Sequence, residues 1–139
     1  MNYASWIQRV GGYLIDAVIA GVPTGIGTAI ATATATNGQR TVGGALAYAA
    51  LALVSLGLTI YNRWMLGGRT GQTWGRRALN IRMIGEQAGR PIGAWLAFVR
   101  DICHVLDSLA CYIGWLFPLW DAKRQTFADK IMKTVVVAA

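Results

Sequence analysis

The stretch VGGYLIDAVIAGVPTGIGTAIAT, from Val10 to Thr32, decides how this chain is read. It is longer than the roughly 20 apolar residues that a helix needs to cross a bilayer core. Inside it sits one carboxylate, Asp16. A lone charge at bilayer depth costs at least about 2.5–3.5 kcal/mol, so a partner, a wet cavity or a function must offset it. Arg9 lies two helical turns earlier, on nearly the same face. The two suggest either a structural ion pair or an ion path. Gly21 and Gly25 form a G-x-x-x-G spacing further along, which lets another helix approach closely. Packing within the chain is the favoured use of that pair, a homodimer seam the alternative. Pro23 should kink the helix or open its hydrogen-bond ladder.

The rest of the composition agrees with a membrane protein. Of 139 residues, 55% are hydrophobic and 14% charged, against about 25% charged in soluble domains. The mean hydropathy is +0.42. The net charge of +7 comes from 13 Lys and Arg against 6 Asp and Glu. These basic residues gather beside apolar runs, as anionic lipid headgroups and cytoplasmic loops demand, and not in a nucleic-acid-binding pattern. Cys103 and Cys111 stand eight residues apart, about 12 Å along a helix. That exceeds the roughly 7 Å a disulfide allows, so both read as free packing residues. One His and two Cys do not fall at zinc-ligand spacing. The run Ala29-Ile30-Ala31 imitates a signal-peptide cleavage site. The apolar core before it is too long and contains Asp16, so it reads as an uncleaved first span.

A second span runs from about Gly43 to residue 65, with Tyr61, Arg63 and Trp64 at its far interface. Residues 67–91 form a basic loop in which Arg69, Arg76, Arg77, Arg82 and Arg90 face one acid, Glu86. The positive-inside rule makes this loop and the N-terminus cytoplasmic. Within it Leu79–Ile84 alternates apolar and polar residues, a short strand signal. The tail, residues 121–139, carries Lys123, Arg124, Lys130 and Lys133 and ends in a second strand signal, Thr134 to Val137.

The third apolar segment, 92–120, is long for one span and short for two. Its first half places Arg100, His104 and Asp107 on one helical stripe, with Asp101 one turn before His104. The favoured reading is an amphipathic helix at the membrane surface with its charges in water, followed by a bent or re-entrant second half. That keeps the basic tail on the cytoplasmic side, beside its strand partner. A straight third span with the tail outside is the alternative. The stripe also admits a proton or cation relay, with Asp16 facing His104, because imidazole titrates near neutral pH. The Gly71–Arg77 segment lacks the spacing of a phosphate-binding P-loop. Arg76 and Arg77 there read as contacts to lipid phosphates or to an acidic partner.

An ordered set of residues carries a resemblance. Arg9 with Gly12 and Ile15-Asp16 comes first, then Gly71-Gln72-Thr73-Trp74-Gly75-Arg76-Arg77. Arg100-Asp101 follows, then Lys123 to Lys130 and Lys133 to Val136. Over nearly the whole chain this resembles the RDD family of small bacterial membrane proteins, named for an arginine and two aspartates. The resemblance implies Arg9 as the arginine and Asp16 and Asp129 as the aspartates. Ala128 stands where many relatives have His. The family implies an architecture, with transport proposed and no settled activity.

The expectation is a single 139-residue domain in the bacterial cytoplasmic membrane. Its fold class is an all-α membrane protein, a three-segment transmembrane bundle with a short cytoplasmic strand pair. No catalytic constellation, cofactor or metal is expected, because the one His has no nucleophile placed for a triad. Two function classes follow. One is an accessory or stabilising subunit packing against a larger membrane assembly. The other is a small proton or cation transporter, oligomeric, with Asp16 as the ion-binding carboxylate and Arg9, Arg100 or His104 as modulators. The small size favours the accessory role, since few crossings leave little room for alternating access.

Overall fold

The computed structural model describes residues 1–139. Helix α1 spans Trp6–Ala33 and helix α2 spans Val42–Thr59; a π-helical segment, Ile60–Leu66, continues from α2 into a short α3, Gly67–Thr70. Two helices are long and apolar enough to cross a membrane, Trp6–Ala33 and Val42–Thr70. Only 17% and 6% of their most apolar stretches are buried, so lipid or another chain must cover the rest. The chain divides into two compact units, Ala17–Tyr61 and Met1–Asp16 with Asn62–Ala139.

The Ala17–Tyr61 unit is a helical hairpin. Its turn is a two-residue loop: Asn37 and Gly38 take φ of 51° and 75°. Thr36 and Gln39 exchange both backbone hydrogen bonds, at 2.9 and 3.0 Å. Positive φ at both central positions is what an Asn-Gly turn provides cheaply. Thr41 then caps α2, its hydroxyl accepting from the Gly44 amide at 3.1 Å. The expected packing role of Gly21 and Gly25 is not realised within the chain. A Cβ at either would meet no heavy atom within 4 Å. The close approach uses Gly27 and Gly44 instead, where a Cβ would stand 3.0 Å from the Tyr48 Cα and 3.1 Å from the Ala31 Cα. Helix α1 runs unbroken through Pro23. The Thr24 amide turns to the Ser55 hydroxyl at 3.1 Å, so the opened ladder finds a side-chain acceptor.

The other unit carries the sheet. A short helix α4, Trp74–Ala78, leads into strand β1, Ile81–Gly85. The expected strand started at Leu79; Asn80 instead takes φ of 52° and turns the chain first. Helix α5 spans Ala94–Leu109 and α6 spans Ile113–Leu116, which passes into a 3-10 turn, Phe117–Leu119. The two halves bend by 107°, so the segment 92–120 is not a straight span. Helix α7, Phe127–Met132, precedes strand β2, Thr134–Ala138. β1 and β2 pair antiparallel, Met83 opposite Val136 and Gly85 opposite Thr134. The N-terminus joins them: Ala4 donates to the Val136 carbonyl at 2.9 Å. Ala4, Ile81, Met83, Ala97 and Val136 form the buried core, and Ile84, Val135 and Val137 a second cluster.

Helix α5 is inside out. Its buried residues are Ala97, Arg100, His104 and Asp107. Trp95, Ile102, Val105 and Leu109 are exposed. This corrects the expectation that the charged stripe faces water. The stripe bonds within the protein, and the apolar side is left for lipid or another chain.

Candidate functional site

Three buried carboxylates organise the Met1–Asp16 and Asn62–Ala139 unit. Asp129 is fully buried at the first turn of α7. The capping box with Thr126 fixes it there, each residue taking the other's backbone amide at 3.2 Å. Its Oδ1 accepts from Arg100 Nε and Nη2 at 2.8 and 2.6 Å and from the Thr134 hydroxyl at 2.8 Å. Its Oδ2 accepts from Arg9 Nη1 at 2.6 Å. Burial by itself would raise this carboxyl. The Arg100 and Arg9 guanidiniums outweigh it and hold Asp129 well below the usual carboxylate range. Arg9 is thus paired with an aspartate 120 residues away, and no ion pair joins it to Asp16.

Asp16 is held by neutral donors. Its Oδ1 accepts from Asn62 Nδ2 at 2.7 Å and from the Gly75 amide at 2.8 Å, and its Oδ2 from the Thr73 hydroxyl at 2.5 Å. Asn62 comes from the π-helical segment and is itself fixed, since its Oδ1 accepts from the Trp74 amide at 2.9 Å. Gly75 is required by close approach: a Cβ there would lie 2.8 Å from the Gly12 carbonyl carbon and 3.1 Å from Asp16 Cγ. The Gly71–Arg77 segment therefore acts as a backbone clamp on Asp16.

Asp107 is the third. It pairs with His104 Nδ1 at 2.6 Å and accepts the Phe127 amide at 2.9 Å. The His104 ring stacks on Trp115, with centroids 4.4 Å apart. Asp16 and His104 bond to different partners, and no direct hydrogen bond joins them. Asp101, half-buried, takes Arg63 in a two-pronged pair at 2.9 and 2.8 Å and the Trp64 indole N–H at 2.9 Å. Arg76 and Arg77, read as a surface pair, are split: Arg77 is exposed, while Arg76 Nη1 is sealed from solvent.

Arg9, Asp16, Arg63, Arg76, Arg100 and Asp101 line one cavity of about 50 Å³. The sequence singled out Arg9, Asp16, Arg100, Asp101, His104, Asp107 and Asp129, but not Asn62, Thr73 or Gly75 as partners, nor Arg63 as a counter-ion. The one signal for Asn62 was an amide side chain at the end of an otherwise apolar run. No cluster of three or more His, Cys, Asp or Glu is placed to hold a metal ion.

The model of the RDD family matches residues 3–133. The chain is similar to the "Proline-rich antigen" of Mycobacterium leprae (strain TN), 38% identical over 149 residues, covering 96% of this chain and 60% of that protein. It is also similar to the "Proline-rich antigen homolog" of Mycobacterium tuberculosis (strain ATCC 25618 / H37Rv), 36% identical over 152 residues, covering 98% of this chain and 63% of that protein. The chain thus spans less than two thirds of the length of these relatives. No solved structure matches it. With the family model matching nearly the whole chain, the chain belongs to the RDD family.

Proposed function

We propose that this chain is an accessory or stabilising module that packs against a larger assembly in the bacterial cytoplasmic membrane. One observation carries the reading: each inward carboxylate is already occupied. Asp129 is neutralised by Arg9 and Arg100, Asp107 is shared by His104 and an amide, and Asp16 takes three fixed donors. Such a network locks distant segments together and leaves no free carboxylate to take up and release a cation. The exposed apolar sides of α1, α2 and α5 supply surface for lipid and for a partner. The pairing of β1 with β2 joins the basic loop to the basic tail, and the positive-inside rule supports a cytoplasmic side for both and for the N-terminus.

The test is a mild-detergent pulldown through a C-terminal tag, with mass analysis of what accompanies the chain. A stoichiometric larger membrane protein supports the reading. A lone homo-oligomer turns it toward the second reading, a small proton or cation transporter. That alternative is favoured only by His104 lining a larger cavity of about 380 Å³, and the four arginines there, Arg9, Arg63, Arg76 and Arg100, count against a cation.

A further inference from the structure

The arginines around the cavity are not balanced. Arg63 is neutralised by Asp101, and Arg9 and Arg100 share Asp129. Asp16 is engaged by Asn62, Thr73 and the Gly75 amide. Arg76 remains: its Nη1 is sealed from solvent and has no hydrogen-bond partner. Arg9 uses Nη1 only, and its buried Nε and Nη2 find no acceptor in the protein. Three charged N–H donors therefore line one cavity without a partner. Each such donor carries a desolvation cost of about 1–3 kcal/mol or more, and three of them on one cavity call for an acceptor that the protein does not supply, a water or an anion.

We propose that Arg76 and Arg9 hold a phosphate-type oxyanion whose oxygens accept these three N–H groups. The forked guanidinium suits a tetrahedral oxyanion better than a point charge does. Four arginines, Arg9, Arg63, Arg76 and Arg100, meet three carboxylates there, Asp16, Asp101 and Asp129, so one positive charge is in excess. The 50 Å³ exceeds the roughly 10–15 Å³ one water needs. Arg76 is pushed down to about 10 by burial and by Arg100 and Arg63, yet stays protonated at neutral pH. The same arginines open onto the larger cavity, whose other wall is Trp6, Val10, Trp115 and Pro118. An acyl portion suits that apolar wall, so the phosphate of a phospholipid and free phosphate are the two sources of one chemistry. The inference is independent of whether the chain is an accessory module.

The experiment uses the full chain, delipidated in a neutral detergent, and reads thermal stability while three probes are titrated. They are inorganic phosphate, a short-chain phosphatidylglycerol, and sodium chloride at matched ionic strength. Stabilisation by phosphate identifies a free-anion site; stabilisation by phosphatidylglycerol alone identifies a lipid site. Arg76→Gln weakens either by about tenfold or more, Arg76→Lys recovers part of it, and Arg77→Gln leaves it unchanged. Equal stabilisation by chloride, no stabilisation by either phosphate probe, or a response that Arg76→Gln and Arg76→Lys both leave intact overturns the proposal.

Discussion

Removing the charge of Asp129 tests the network at its centre. In Asp129→Asn the side chain keeps its shape, but one oxygen becomes an amide that points N–H groups at donors. Asp129 accepts from two arginines, from Thr134 and from the Thr126 amide, and it is fully buried. Deleting one partner of a buried pair leaves uncompensated charge and costs about 3–5 kcal/mol. Here two guanidiniums are stranded at once, so the upper part of that range applies. At about 4 °C per kcal/mol for a chain near this size, Tm falls by roughly 16–20 °C. The assay is thermal unfolding of detergent-purified protein, followed by tryptophan fluorescence and by loss of the monodisperse elution peak. Adding Arg9→Met to Asp129→Asn removes one stranded cation, and the double variant should lose less than the sum of the singles. A fall under about 2 °C, the size of an ordinary surface change, or strict additivity, refutes the reasoning.

Four further outcomes follow. Because the Asp129 carboxyl is held below its ordinary value near 3.9, its contribution is present in full above that value. It is lost as pH falls through the folded value, so Tm stays flat from about pH 7 to 5 as far as Asp129 is concerned and drops below about pH 4. Gly75→Ala forces a Cβ onto the Gly12 backbone and should cost about 1–3 kcal/mol or block accumulation in the membrane, read as the folded fraction by size exclusion. Gly21→Ala and Gly25→Ala meet open space and should leave Tm of the isolated chain unchanged; a shift in oligomeric state instead marks that face as a seam between chains. Gly114→Ala puts a Cβ 2.7 Å from the Asp107 Cα and should disturb the His104–Asp107 pair, seen as a changed imidazole resonance in NMR.

The sheet was legible because its signals are local. Ile81 and Met83 alternate with Arg82 in one strand and Val135 to Val137 form the other, and both lie beside turn residues. The two long apolar helices were legible from composition alone. The bend in the third segment was half legible: length and the charge of the tail argued for it. Its place was not, because Cys111 and Tyr112 take positive φ of 54° and 62° without a glycine or proline to announce it. The partners of Asp16 and Arg9 were illegible for another reason. Helical periodicity put Arg9 beside Asp16, but α7 brings Asp129 from 120 residues away, and the π-helical turn and the Thr73–Gly75 backbone close on Asp16 first. Periodicity places side chains on one helix; it does not say which distant donor arrives. The inverted polarity of α5 belongs to the same class, since a stripe bounded by charges reads the same whether it faces water or a buried counter-ion.

The most direct test of the central claim is flux in sealed proteoliposomes. Wild-type chain and Asp16→Asn, each checked for monodisperse reconstitution, are compared with empty vesicles under imposed proton and sodium gradients. If the aspartates lock the fold of an accessory module, neither protein moves ions above the empty-vesicle rate, and Asp16→Asn shows only lower thermal stability. Flux by the wild-type chain that Asp16→Asn abolishes while remaining folded contradicts the account and makes Asp16 an ion-binding carboxylate.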